Sequence, residues 1–205
     1  MDSQAYLALN AWLQKADSNY IEGRVLWLQH LVNGACNLLW LSSEQLIKVL
    51  LLQNEIEDIS AKSENLTELH TRLEKRGRKL GHSADKLTTA LCKAYPAIDI
   101  ERFLATLHKL QSYFYRRYAV HSASSISLSM LTEVDEMYFL LRSQVLPEVG
   151  LGVIDEIHIQ RKHQLGHPLH AFSYVYLNND FFKPRKHRSI NIEGLNGAIH
   201  KECGD

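Results

Sequence analysis

Proline is scarce in this sequence: Pro96, Pro147, Pro168 and Pro184 are its four, and none precedes Pro96. The long proline-free stretch is rich in leucine, alanine, glutamate, lysine and glutamine, which favours helices joined by short turns. Cysteine is scarce too. Cys36, Cys92 and Cys203 are odd in number and far apart, which excludes a disulfide framework and a cysteine-based zinc module. Cys36 lies in an apolar stretch and reads as a buried free thiol. Net charge is missing altogether: 23 Lys plus Arg balance 23 Asp plus Glu, so any attraction to nucleic acid or acidic membrane must come from local clusters. Long hydrophobic runs are missing as well. The most apolar region, 25–52, is interrupted by Gln29, His30, Asn33, Asn37, Glu44, Gln45 and Lys48, and falls short of the roughly 18–20 apolar residues that span a bilayer. Residues 1–10 lack the basic and then apolar layout of a signal peptide. The expectation is a protein that spans no membrane and works in a reducing cytoplasm. What is present is ordinary for a globular chain of 205 residues: 45% hydrophobic and 22% charged, which argues against disorder.

Apolar spacing marks out the segments. The first helix is expected from Ser3 to Lys15, with Asp17 and Ser18 breaking it. Asn19 with Glu22 three residues later has the form of a capping box, opening a second helix through Val25, Leu28 and Val32. Asn33-Gly34 is a turn or helix-end signal. The next helix, about Ala35 to Asn54, is apolar on nearly every side, so neighbours must bury it and it belongs at the centre of a bundle. Glu55 to Ser63 reads as a connection. A helix around Leu66, Leu69 and Leu73 is expected to end near Gly77. Ser83 caps a helix from Ala84 to Ala94 that Tyr95-Pro96 stops, because the residue before proline avoids helical geometry. Asp99 is the expected cap of the helix carrying Ile100, Phe103, Leu104, Leu107, Leu110, Phe114 and Tyr118 on one stripe. Val120 to Leu128 is a serine-rich loop, and Ser129 starts a last helix closed by Pro147.

After Pro147 the character changes. Glycine appears at 150, 152, 166, 194, 197 and 204, and Ala171 to Leu177 suits a short helix or a strand equally well. The predicted organisation is therefore an all-α, antiparallel up-down bundle over residues 1–146. Residues 147–205 form a partly irregular extension packed on it, with a basic end.

Three stretches resemble the HEPN family, small helical domains named for higher eukaryotes, prokaryotes and nucleotide binding. The first runs from Asn19-Tyr20-Ile21 through Arg24-Val25-Leu26 to Leu38-Leu39-Trp40-Leu41-Ser42-Ser43-Glu44-Gln45-Leu46-Ile47-Lys48, similar to that family's long helical pair with a Glu-x-x-x-Lys ending. Gly81-His82-Ser83-Ala84-Asp85-Lys86-Leu87 resembles its Gly-His-Asp-Leu-x-x-Leu segment. Arg117-Tyr118, then Asp135-Glu136 and Leu141-Arg142, resemble the pattern that closes the domain. The match covers roughly residues 19–146. It departs at Ser83, where an acidic residue is usual, and at Ala119, where a proline often follows Arg-Tyr. The resemblance implies a HEPN-type bundle, a homodimer, and a nucleotide, an RNA or a minimal nucleotidyltransferase as partner.

Several residues stand out chemically, each with a bland reading beside the functional one. Arg116 to His121 fits the Arg-x4-His motif of the family's metal-independent ribonucleases. A near-neutral histidine can move a hydroxyl proton while an arginine neutralises phosphate charge. Otherwise Arg116 and Arg117 are cations at a helix carboxyl end. Glu44 and Lys48, four apart in the favourable order for an ion pair, either line a ligand cleft with His82, Arg117 and Tyr118 or satisfy each other. Arg72, Lys75, Arg76, Arg78 and Lys79 form a basic run. Arg72, Arg76, Arg78 and Lys79 are its candidate nucleic-acid contacts, unless the run is a solvated face neutralised by Glu55, Glu57, Asp58 and Glu64. Lys183, Arg185, Lys186, His187 and Arg188 form a second run. His163, His167 and His170 invite a metal reading, but Gly166 and Pro168 oppose a helix there, and no glutamate sits between the histidines as in a zinc hydrolase. Neither a phosphate-binding glycine loop nor a nucleophile elbow occurs, so no metal or cofactor is expected. Three functions follow: a noncatalytic HEPN-like binding module, an endoribonuclease using Arg116 and His121, and a structural subunit burying Trp12, Trp27 and Trp40 against another chain.

Overall fold

The computed structural model describes residues 3–115, 129–145 and 179–181. The described residues are all-α: α1 (Ser3–Leu28), α2 (Val32–Gln53), the short α3 (Ile56–Ser60), α4 (Leu66–Leu80), α5 (Ala84–Ala94), a 3-10 turn (Glu101–Phe103) leading into α6 (Leu104–Tyr115), and α7 (Ser129–Arg142). No strand occurs among them.

The expected break at Asp17-Ser18 is absent, and α1 is one helix of 26 residues. Asp17 and Asn19 favour helix ends when their side chains bond the local backbone. Here they are buried and bond other helices instead: Asp17 takes Arg142, and Asn19 donates to Gln45 Oε1 at 2.9 Å. The turn to α2 falls three residues before the predicted Asn33-Gly34, at His30, which has a left-handed φ of 62°. Gly34 instead lies in the first turn of α2, where a Cβ would stand 3.0 Å from Leu26 Cδ1. At Gly23 a Cβ would stand 2.8 Å from Leu39 Cγ, so the two antiparallel helices approach through missing side chains.

Gly77 does not end α4. It sits inside the helix under Trp12, whose ring would be 2.6 Å from a Cβ there, and the helix closes at Gly81 with φ 75°. Asn65 caps α4 by accepting from the Glu68 N–H at 3.0 Å. Ser83 is the N-cap of α5 as its sequence implies, and Tyr95 ends that helix. Asp99 is not a cap: the 3-10 turn begins after Ile100 with no side-chain cap.

The apolar α2 packs against α1, α4, α5, α6 and α7. By length and composition alone it could cross a membrane, but 78% of its most apolar window is buried among these neighbours. The main core gathers Leu39, Trp40, Leu46, Ile47 and Leu50 of α2 with Tyr20, Leu87, Phe103, Leu107 and Tyr138. A smaller core joins Ala5, Ala8 and Leu9 of α1 to Leu52, Ile56, Leu69 and Leu73, and Trp12 packs on both.

Candidate functional site

α2 presents Glu44 and Lys48 one turn apart, and both are buried. The Lys48 ammonium donates to Glu44 Oε1 at 2.7 Å. His82 comes from the turn between α4 and α5, where the left-handed Gly81 redirects the chain, and its Nδ1 meets the same Oε1 at 2.9 Å. The Gln111 side chain on α6 donates to the His82 carbonyl, which ties a third element to the cluster. Glu44 is thus served on one side only. Its Oε2 is buried and has no hydrogen-bond partner among the described residues. An unserved buried acceptor costs about 1–3 kcal/mol, and more when charged. The His82 side chain is 61% exposed against 6% for Glu44, so the cluster runs from the interior to the surface through the imidazole. Chemically it is a carboxylate with one oxygen left for an N–H or O–H donor, beside an ammonium and an imidazole suited to a phosphate.

The structure therefore brings together Glu44, Lys48 and His82. Arg116, Arg117, Tyr118 and His121 lie outside the described residues, as do His163, His167, His170 and the second basic run. In the first basic run the three arginines are paired. Arg72 bonds Glu68 at 2.7 Å, Arg76 takes Glu55 through two nitrogens at 2.5 and 2.6 Å, and Arg78 bonds Glu74 at 2.9 Å. The Arg76 hydrogen bonds hold the Glu55 carboxyl below its usual range. Three of the four candidate nucleic-acid contacts thus have carboxylates in place. Among the described residues no three His, Cys, Asp or Glu gather closely enough to hold a metal ion. Cys36 is buried, which pushes its thiol up to about 12 and leaves it unreactive at neutral pH.

A second polar cluster was not anticipated from the sequence. α1 carries Asp17, Tyr20 and Arg24; α7 carries Asp135, Tyr138 and Arg142. Both follow the spacing Asp-x2-Tyr-x3-Arg, and on antiparallel helices each triad complements the other. Arg24 Nη1 bonds Asp135 Oδ2 at 2.5 Å, and Arg142 takes both oxygens of Asp17 at 3.1 and 3.2 Å. The Tyr20 hydroxyl donates to Asp135 Oδ1 at 2.6 Å, and the Tyr138 hydroxyl donates to Asp17. Between the two ion pairs the tyrosine rings stack, centroids 3.7 Å apart and 2° from parallel. Face-to-face stacking is a poor arrangement for two ring quadrupoles; here the hydroxyl bonds at either end hold it. All six residues are buried. Burial, then the facing carboxylate, raises both phenols well above their usual range. Burial also pushes Asp135 up to about 6, outweighing Arg24 and the Tyr20 hydroxyl, which pull it down. Burial acts to lower Arg142, yet Asp17 leaves its net shift upward. A search for a short repeated polar spacing, rather than for apolar periodicity, is the signal that finds this clasp.

Comparison of the chain with family models, with curated proteins and with solved structures finds no match in any of the three.

Proposed function

We propose that this chain is a HEPN-like helical module that acts as a homodimer and binds a nucleotide or an RNA, without cutting it, at the polar cluster of Glu44, Lys48 and His82. The observation that carries the reading is the orphan Glu44 Oε2. A purely structural ion pair would be expected to use both carboxylate oxygens, whereas this one crowds two donors onto Oε1. Base amino groups and guanidinium groups are the donors such an oxygen takes. The resemblance adds Arg117 and Tyr118, which follow α6 in the sequence, as ligand contacts. Two further points support it: the helical fold, and the order of the motifs along the chain.

The test is binding of a fluorescent nucleotide and of short RNAs at low salt. Affinity should fall steeply as salt rises, and Lys48→Met and Arg117→Ala should each weaken it about tenfold or more. Absence of binding for every probe at low salt would sink the proposal and leave the structural-subunit reading, which light scattering on the full chain would test through its assembly state. The catalytic reading rests on the Arg116-to-His121 spacing. It requires RNA cleavage in chelator that His121→Ala abolishes with helicity unchanged.

A further inference from the structure

Asn179 and Phe181 dock on the helical body at the clasp. Asn179 is buried, and its side chain works at both ends: Nδ2 donates to the Tyr20 hydroxyl at 3.0 Å, and Oδ1 accepts from the Phe181 N–H at 3.2 Å. The second bond is an Asx turn, and the Phe181 ring packs on the main core. Asp180, between them, is exposed. The chemical symmetry of the clasp stops here. Tyr138 serves Asp17 and Arg142 within the helix pair, while Tyr20 reaches beyond it.

We propose that the Tyr20 end of the clasp is a docking site for a carboxamide followed two residues later by an aromatic ring, occupied in cis by Asn179–Phe181. The chemistry at the hydroxyl calls for a neutral donor. The Tyr20 proton is committed to Asp135, so the hydroxyl offers only a lone pair and the incoming group must be a donor. A carboxylate there would face that lone pair and the Asp135 charge. A cation would face the buried Arg24 guanidinium. A neutral amide meets neither objection, and its oxygen remains to hold the turn that seats the ring.

Chymotrypsin cutting at Phe181 in the full chain, well below the unfolding temperature, reads the docking. Asn179→Asp keeps the size and can keep the Asx turn but removes the donor; it should speed cutting about tenfold, the factor expected from one lost hydrogen bond, with unchanged helical circular dichroism. Tyr20→Phe should act in the same direction without touching the segment itself. Asp17→Asn weakens the opposite half of the clasp and should leave the rate within about twofold. Equal cutting of wild type and Asn179→Asp would overturn the proposal. So would acceleration by Asp17→Asn as large as that by Asn179→Asp, since docking would then merely follow overall stability.

Discussion

The two buried polar clusters solve the same problem in opposite ways. The clasp between α1 and α7 is reciprocal: each Asp meets an Arg and a Tyr hydroxyl from the facing helix, and both oxygens of each carboxylate are used. The cluster on α2 is lopsided, with two donors on one oxygen of Glu44 and none on the other. Buried charge is expensive unless its hydrogen-bonding capacity is filled. A filled network therefore belongs to the architecture, where it can fix the direction and register of two helices. A half-filled one leaves an acceptor open, and the proposed function gives that acceptor to a ligand.

The largest effect expected from this contrast is at Arg24. Arg24→Met leaves the Asp135 carboxyl buried without its cation and should cost about 3–5 kcal/mol, read as a lower urea midpoint. Adding Asp135→Leu removes the unpaired buried carboxyl and should return most of that loss. A single variant as stable as wild type would show that the clasp does not hold α7. Next comes the exchange of charges across the other half. Asp17→Arg or Arg142→Asp alone places like charges together and should cost about as much. The double exchange should regain at least half, because the antiparallel geometry is indifferent to which helix carries which sign. Failure to regain anything would mean that local packing, not pairing, decides the two positions.

The helices themselves were legible in the sequence because an apolar stripe every three or four residues is a local property. α2 as the buried centre, Ser83 as a cap and Tyr95-Pro96 as a stop all followed from it. Three of the misreadings share one cause. Asp17, Asn19 and Gly77 carry local signals for helix ends, and in each case a tertiary partner took the residue: Arg142 and Tyr138, Gln45, and the ring of Trp12. Local rules could not see partners that in the clasp lie more than a hundred residues away. At the α2 cluster, Glu44 and Lys48 were visible through their four-residue spacing, and His82 through its place after Gly81. The lopsidedness was not, since which oxygen receives the donors is set by three-dimensional approach alone.

A smaller effect separates the two halves of the clasp by pH. Burial raises Asp135 from an ordinary 3.8 to about 6 in the folded chain. Between those values the folded form holds a proton that the unfolded chain has released, so stability from this group is fully present below the lower value and is lost as pH rises through the higher one. The shift corresponds to roughly 3 kcal/mol at most. Relative to Asp135→Asn, the wild type should therefore gain stability on going from pH 7 to pH 4. A difference between the two proteins that stays flat, or that runs the other way, would mean that Arg24 keeps the carboxylate ionised, and the clasp would then be a fixed ion pair at both ends.

The smallest effect on stability is expected at the α2 cluster, where the contrast is sharpest. Replacing both partners of an incompletely satisfied buried ion pair by apolar residues of similar size is often neutral or favourable. Glu44→Leu together with Lys48→Met should therefore change the unfolding free energy by less than about 1 kcal/mol, or raise it, since the penalty at Glu44 Oε2 disappears. The same double variant should lose nucleotide and RNA binding. Stability kept and binding lost is the signature of a group retained for a ligand. Stability lost by several kcal/mol, with binding in the wild type never detected, would instead place Glu44 and Lys48 with the clasp, as a second fastening of the bundle whose unused oxygen serves no ligand.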